Sequence, residues 1–411
     1  MTLTPTRPTP DAWPGLDAVP GGPRTAISAA VARRLFLAAV RRLPVSVTLD
    51  GDVVGTGGPT MTVHRSDELF ARLGRDGLIG FGEAYLTGAW DAEDLTPFLT
   101  VLAADIADLV PRPLQRLRGL VQHRMPQHHR TSKDQTRELI AHHYDLSNDL
   151  FRLFLDESMS YSAALFERDL SLDLATAQQR KIDRLLDVTR VGEGTRVLEI
   201  GTGWGELAIR AAARGATVHS VTLSSEQQAL ARERIEAAGF ADRVQVDLCD
   251  YRDVEGEYDA VLSVEMIEAV GHEFWPTYFS TIDGLLAPDG RAGIQAILMP
   301  HDRMLATRGS FTWINKYIFP GGFLPSAEAI DEVTTAHTSL RVTDRLAFGH
   351  DYAETLRRWD EAFLERASEV KELGFDDTFL RMWHFYLCYS RAGFASGYLD
   401  VEQVLLERAA G

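Results

Sequence analysis

Apolar positions along this chain fall into three rhythms, and the changes between them mark its elements. Between Ala26 and Leu43 they recur with the spacing of one helical face. Val45-Ser-Val-Thr-Leu-Asp50 alternates, Gly51-Asp52 supplies a turn, and Val53-Val54 resumes the pattern, so a hairpin is predicted. Thr60 to Val63 reads as a further strand, Asp67 to Arg75 as a helix, and Phe81 to Asp91 as a helix ending near Gly88. A last helix is expected from about Leu95 to Val110. Residues 25–110 therefore describe a small α+β domain with no catalytic constellation of its own. The lead before it, residues 1–24, is rich in Pro, Gly and Thr and is expected to be disordered.

The third rhythm is a continuous apolar run that stops at glycine. Arg196-Val-Leu-Glu-Ile-Gly-Thr-Gly-Trp-Gly205, then a helical pattern from Glu206 to Arg214, predicts a buried parallel strand, a tight turn and a crossover helix. Gly201 and Gly203 would let the backbone approach a ligand where a Cβ would collide, and the helix start offers unpaired N–H groups. Dinucleotide folds use a similar turn, and a tight turn can also bind nothing, so the next strands decide. Thr217 to Ser224 is strand-like, but it ends in Thr222, Leu223 and Ser224, with Gln227 one helical turn further on. A dinucleotide site expects an acidic residue there for the ribose hydroxyls. Ser224 or Ser225 is suited to cap the following helix. A third strand, Arg243 to Leu248, runs into Cys249-Asp-Tyr-Arg-Asp253, where Asp250 suits the edge of an adenine. This order of features favours S-adenosylmethionine over NAD.

Composition narrows the function classes further. A chain of 411 residues with 45% apolar content has room for a full α/β domain beside the smaller one. Its formal net charge of −17 argues against nucleic acid as a partner. Two cysteines, Cys249 and Cys388, make a disulfide framework unattractive, and neither an apolar leader nor a membrane-spanning run is seen, so a cytoplasmic protein is expected. Residues 111–134 stand out as basic, with Arg112, Arg116, Arg118, Arg124, Arg130 and Lys133 around Leu114, Leu117, Leu120 and Val121. Such a helix suits an anionic membrane surface, and equally a solvated interdomain linker. His123, His128 and His129 in this stretch lack a carboxylate or cysteine at metal-binding spacing, so no metal site is expected.

The rest of the chain, residues 135–411, opens with His142-His-Tyr-Asp-Leu-Ser-Asn-Asp-Leu-Phe-Arg-Leu-Phe-Leu-Asp156 and Ser158-Met-Ser-Tyr-Ser-Ala-Ala-Leu-Phe166. Further motifs are Gln179-Arg-Lys-Ile-Asp183, the glycine turn, Val221-Thr-Leu-Ser-Ser-Glu-Gln227, Ser263-Val-Glu-Met-Ile-Glu-Ala-Val-Gly271, Trp313-Ile-Asn-Lys-Tyr-Ile-Phe-Pro-Gly-Gly322 and Tyr386 to Phe394. In this order they closely resemble the catalytic domain of the cyclopropane fatty acid synthases and mycolic acid cyclopropane synthases. Gly80-Phe-Gly-Glu-Ala-Tyr85 also resembles the front domain of the phospholipid-acting members. The resemblance implies an α/β class I methyltransferase fold, Rossmann-like, with a mostly parallel seven-stranded sheet and helices on both faces. It implies methyl transfer from S-adenosylmethionine to the cis double bond of an unsaturated acyl chain on a membrane phospholipid. Orientation of a strong electrophile supplies much of the rate. A base must then take a proton from the new methyl group so that a cyclopropane ring can close, and in the family that base is bound bicarbonate. A homodimer associated peripherally with the inner membrane face is expected on the same ground.

Carried over by position, Tyr161 and Ser162 would touch the methionine end of the donor, while Glu199, Gly201 and Gly203 match the glycine-turn contacts. Thr222, Leu223 and Gln227 match ribose and adenine contacts, and Asp250 with Tyr251 the adenine edge. For bicarbonate, Glu268 matches the family glutamate, Ile297 the backbone contributor and Tyr352 the tyrosine. Ala163 stands where many members have Cys, a position that can serve through its backbone N–H, and Gln295 stands where the family has His. Glutamine donates a hydrogen bond but takes up no proton near neutral pH. The family's C-terminal cysteine aligns with Ser390, so no cysteine nucleophile is expected. These departures put an exocyclic methylene product, the precursor of a methyl-branched chain when a partner reductase follows, nearly level with the ring. A non-catalytic donor-binding scaffold is a third reading, opposed by Glu268, Tyr352 and the complete donor series. Phe311, Trp313, Ile314, Tyr317, Ile318 and Phe323 would suit the cover of an acyl tunnel, or plain helix core.

Overall fold

The computed structural model describes residues 8–105 and 147–409. The basic stretch 111–134, the end of the helix expected to reach Val110, and the chain from 135 to 146 lie outside the described residues. Two compact units are formed. The first takes in the front of the chain together with residues 310–318 and 359–398, and the second takes in the rest. The expected boundaries put each domain on one continuous stretch, whereas two later segments fold into the first unit.

Physical reasons for that are visible in the Gly80–Tyr85 motif. A Cβ on Gly82 would sit 2.6 Å from the indole of Trp313, so this close packing requires glycine. Glu83 is buried, accepts from the Tyr317 hydroxyl at 2.9 Å, and pairs with Lys316 and with buried Arg72. Arg381, also buried, donates to the Tyr85 carbonyl at 2.7 Å and pairs with Asp91 at 2.6 Å. Both later segments thus supply partners for buried charge, which is costly to leave unpaired. Around them lies a four-stranded sheet of β1 (Ser46–Leu49), β2 (Asp52–Gly55), β3 (Thr60–Val63) and β4 (Trp90–Ala92), in the order β2-β1-β3-β4. The hairpin pairs Leu49 with Asp52, so its turn is Asp50-Gly51, one residue earlier than expected; both have positive φ, as a tight two-residue loop demands. The helix expected at Phe81 to Asp91 runs from Leu78 to Leu86 instead, and Trp90 begins a strand. Residues 8–22 correct the expectation of disorder. Leu16 is buried, and the Arg72 guanidinium binds the carbonyls of Leu16 and Ala18 at 2.8 and 3.2 Å.

The second unit is built on β5 (Arg196–Ile200), β6 (Thr217–Thr222), β7 (Val244–Leu248), β8 (Tyr258–Val264), β9 (Leu286–Leu298), β10 (Leu340–Ala347) and β11 (Asp400–Arg408). They form one seven-stranded sheet in the order β10-β11-β9-β8-β5-β6-β7. The run from β9 to β7 is parallel, and β11 is antiparallel to both of its neighbours. Alternate residues feed two cores. Leu198, Ile200, Val261 and Ile294 pack with Trp275, Tyr278 and Phe279, and Val197, Ala260 and Leu262 pack with Leu185, Ala208 and Ile235. Apolar residues on both sides of a strand are what a sheet covered by helices on both faces requires. Strand order reverses between β5 and β8, which opens a crevice beyond their carboxyl ends. No described helix is long and apolar enough to cross a membrane.

Candidate functional site

One pocket opens at that crevice. Tyr161, Ser162, Glu199, Gly201, Gly203, Thr222, Leu223, Gln227, Asp250 and Tyr251 all line it, so every residue expected at the donor is brought together. Gly201 and Gly203 have φ of +96° and +51°, a region that favours glycine. A Cβ on Gly201 would meet the Met266 side chain at 2.6 Å, whereas one on Gly203 would meet no protein atom within 4 Å. Packing therefore fixes the first glycine, and backbone conformation and ligand space the second. Ser224, not Ser225, caps the helix Ser225–Ala237 through the N–H of Gln227. The Thr222 hydroxyl donates to Gln227 Oε1 at 2.9 Å and so fixes the amide, whose N–H groups are left as donors suited to a ribose oxygen. Asp250 is less open than expected, because Arg252 holds its carboxylate from two sides through Nε at 2.8 Å and Nη2 at 2.5 Å. Tyr161 rests its ring edge-on against Phe151.

Lys181 and Glu265 also line this pocket, and the sequence reading gave neither a role. Lys181 is buried and donates to the Ser162 hydroxyl at 2.7 Å. Burial lowers its pKa to about 8, opposed by the charge of Glu265 and more distant carboxylates. Glu199 is buried beside Ser220, whose hydroxyl donates to it at 2.5 Å. Burial pushes its pKa up to about 8 against that hydrogen bond and the charge of Lys181. The pocket thus carries acid and base groups poised near neutrality.

Of the five residues expected at the catalytic site, four also converge, but on protein carboxylates, one of which is the fifth, Glu268. Ala163 N–H and Gln295 Nε2 donate to Glu265 Oε1 at 2.9 and 2.8 Å, and the Tyr352 hydroxyl donates to Glu265 Oε2 at 2.9 Å. The Ile297 N–H donates to Glu268 Oε1 at 2.5 Å. Gln295 is itself fixed by Gln403, which donates to its Oε1 at 3.1 Å. Nothing in this arrangement supports a bound bicarbonate. Glu265 adopts φ +52°, a left-handed conformation that costs an L-residue with a side chain roughly 1–2 kcal/mol. Its pKa is raised, chiefly by burial. The Glu268 pKa is pushed up to about 8 by burial and by the charge of Glu265, and its second oxygen is buried without a partner. Glu265 could have been found from sequence by asking what a carboxylate does three residues before another at the end of a parallel strand.

One further expectation comes out differently. Trp313 and Tyr317 pack with Phe385 in the first unit, while Phe323 stacks on Trp275 in the second, so the six apolar residues expected over an acyl chain do not share one unit. Asp360, His384 and Cys388, all in the first unit, bring potential metal-ligand atoms within 4.8 Å of one another. The His384–Asp360 contact of 2.6 Å accounts for their approach as an ion pair or hydrogen bond. Sequence spacing hid this group because Asp360 comes from a different helix.

Residues 131–404 match the mycolic acid cyclopropane synthetase family. The tuberculostearic acid methyltransferase UfaA1 of Mycobacterium tuberculosis is 55% identical over 408 residues, covering 97% of this chain and 96% of that protein. The cyclopropane-fatty-acyl-phospholipid synthase of Escherichia coli is 33% identical, with 87% and 90% covered. Among solved structures, the cyclopropane synthase MmaA2 from Mycobacterium tuberculosis superposes with a TM-score of 0.62 at 31% identity, covering 66% of this chain and 98% of its own. The mycolic acid cyclopropane synthase CmaA1 in complex with SAH and CTAB gives 0.61 at 30% identity, with 66% and 98% covered. With its class I fold and its donor pocket, the chain belongs to the cyclopropane synthase family of S-adenosylmethionine-dependent methyltransferases that act on lipid acyl chains.

Proposed function

We propose that this protein methylates the cis double bond of an unsaturated acyl chain on a membrane phospholipid, and that its product carries a methylene branch, which a partner reductase converts to a methyl branch. The likeness to a tuberculostearic acid methyltransferase, spanning nearly all of both chains, carries this reading. The ring-forming relatives are more distant. Methyl transfer moves the alkene π pair to the donor's methyl carbon, and the C–S pair stays on sulfur. The cation left on the adjacent chain carbon shifts to the methylated carbon when a hydride migrates the other way. Loss of a proton from the new methyl group then gives the methylene.

For this chemistry the protein must hold the donor, exclude water from the cation and accept one proton. Gly201, Gly203, Thr222 and Gln227 suit the first task, and the ring of Tyr161, packed on Phe151, suits the second. Incubating the purified protein with S-adenosylmethionine and dioleoyl phospholipid vesicles tests the reading. A methylene product gains the mass of one CH2 and takes up hydrogen under mild catalysis. A product of the same mass that resists hydrogen is a ring, the reading favoured by the likeness to the Escherichia coli phospholipid enzyme over most of both chains.

A further inference from the structure

Three donors from separate parts of the second unit meet on one side chain. Ala163 lies in the loop before the helix Leu174–Val188, Gln295 lies in β9, and Tyr352 lies in the helix Gly349–Glu365. Their target, Glu265, follows the end of β8 and lines the donor pocket. Its backbone conformation is one that glycine would adopt without strain, yet the position carries a carboxylate, and strain of this kind gathers at functional sites. Three hydrogen bonds orient the carboxylate and, with the charge of Lys181, favour its ionised form against the burial that raises its pKa. We propose that Glu265 is the general base of the reaction, a carboxylate built into the chain that takes the proton from the transferred methyl carbon. This rests on the methyl transfer proposed above but holds for either product.

The step balances. A C–H bond of the transferred methyl group breaks, its proton goes to a Glu265 oxygen, and its electron pair forms the methylene double bond or closes the ring. Glu265 then loses the proton to solvent, and the donor leaves as the neutral thioether. Glu268 is suited to a different role. It has one acceptor occupied by Ile297 and its pKa pushed up to about 8, so it is the neutral partner of the two. One carboxyl kept protonated beside one kept ionised is how paired carboxylates divide acid and base work. Tyr352 and Gln295 then act as positioning residues through Glu265. This also explains how a glutamine can stand where the family's histidine is expected, since its task here is to donate to a carboxylate.

The test uses the full-length protein, dioleoyl phospholipid vesicles and methyl-labelled S-adenosylmethionine, in buffer stripped of carbon dioxide and in the same buffer with bicarbonate added. The wild type is expected to turn over equally in both. Glu265→Gln is expected to lose at least about a hundredfold in turnover, the usual scale for a positioned base, with donor affinity by calorimetry little changed. Glu265→Gly, which removes the strained side chain, is expected to recover activity when bicarbonate or formate is supplied. A wild type that stops without bicarbonate and resumes with it overturns the proposal. So does a folded Glu265→Gln that keeps wild-type turnover and products. If the wild type moves no label onto lipid in either buffer, the methyl-transfer reading fails instead, and the two failures are told apart. The wild-type comparison needs no variant, so poor folding of a mutant leaves the proposal testable.

Discussion

Gly203→Ala separates a glycine kept for its backbone from one kept for its ligand. Gly203 sits at φ +51°, and an L-residue in that region costs roughly 1–2 kcal/mol. Alanine returns about 0.4–1 kcal/mol by restricting the unfolded chain. The net loss of stability is therefore on the order of 1 kcal/mol, a fall of roughly 2–4 °C in Tm for a unit of this size. No protein atom lies within 4 Å of the new Cβ, so the methyl group enters space that lines the donor pocket. An extra methyl in a filled site costs roughly 1–3 kcal/mol, which is about fivefold to 150-fold in Kd. Gly239 is the control, since it has φ +80°, open space around its Cβ, and no place in the pocket lining. Calorimetric titration with S-adenosylmethionine and thermal unfolding of both alanine variants make the comparison. Similar losses of Tm with weakened donor binding only in Gly203→Ala is the expected result. Equal donor affinity in the two variants would refute the assignment of Gly203 to the donor.

Other consequences follow from buried charge. Glu199 binds its proton more tightly in the folded protein than in the unfolded chain, so its contribution to stability falls as pH rises from about 4.5 to about 8. Glu199→Gln should flatten the fall in Tm over that range, and a cationic donor that favours the ionised carboxylate should bind the wild type more tightly at pH 8 than at pH 6, with the difference reduced in the variant. Lys181 has a lowered pKa of about 8, so its contribution to stability rises with pH between about 8 and 10.5, and Lys181→Met should remove that rise in thermal scans. Glu83→Ala strips a buried partner from Arg72 and Lys316 and should destabilise the first unit by about 3 kcal/mol in urea titration. A loss under 1 kcal/mol would show that Glu68 and backbone carbonyls satisfy Arg72 unaided.

Local rhythm made much of the fold legible. The strand β3, the start of β1 and the parallel strands β5, β6 and β7 stand where apolar periodicity and glycine turns put them, because each is decided by residues close in sequence. The donor series was legible for the same reason, since strand ends and the turns after them bring Gly201, Thr222 and Asp250 to one edge of the sheet. What sequence hid depends on long-range partners. Residues 8–22 are ordered by a guanidinium more than fifty residues away in sequence, as the Arg72–Leu16 separation of 56 shows. Segments 310–318 and 359–398 join the first unit through Lys316, Tyr317 and Arg381, whose partners lie over two hundred residues earlier, the shortest such separation being 233 among the Glu83 contacts. Glu265 was passed over because the resemblance directed attention to Glu268, and only the convergence of Ala163, Gln295 and Tyr352 shows which carboxylate they serve.

Carbon-13 NMR of the lipid product, formed by the purified protein from methyl-labelled S-adenosylmethionine and dioleoyl phospholipid, tests the central claim most directly. The account predicts that the labelled carbon appears in the olefinic region, as a methylene bound to one chain carbon. A label in the high-field region of a cyclopropane CH2 would contradict the product reading, and a lipid fraction without label would contradict methyl transfer to the acyl chain.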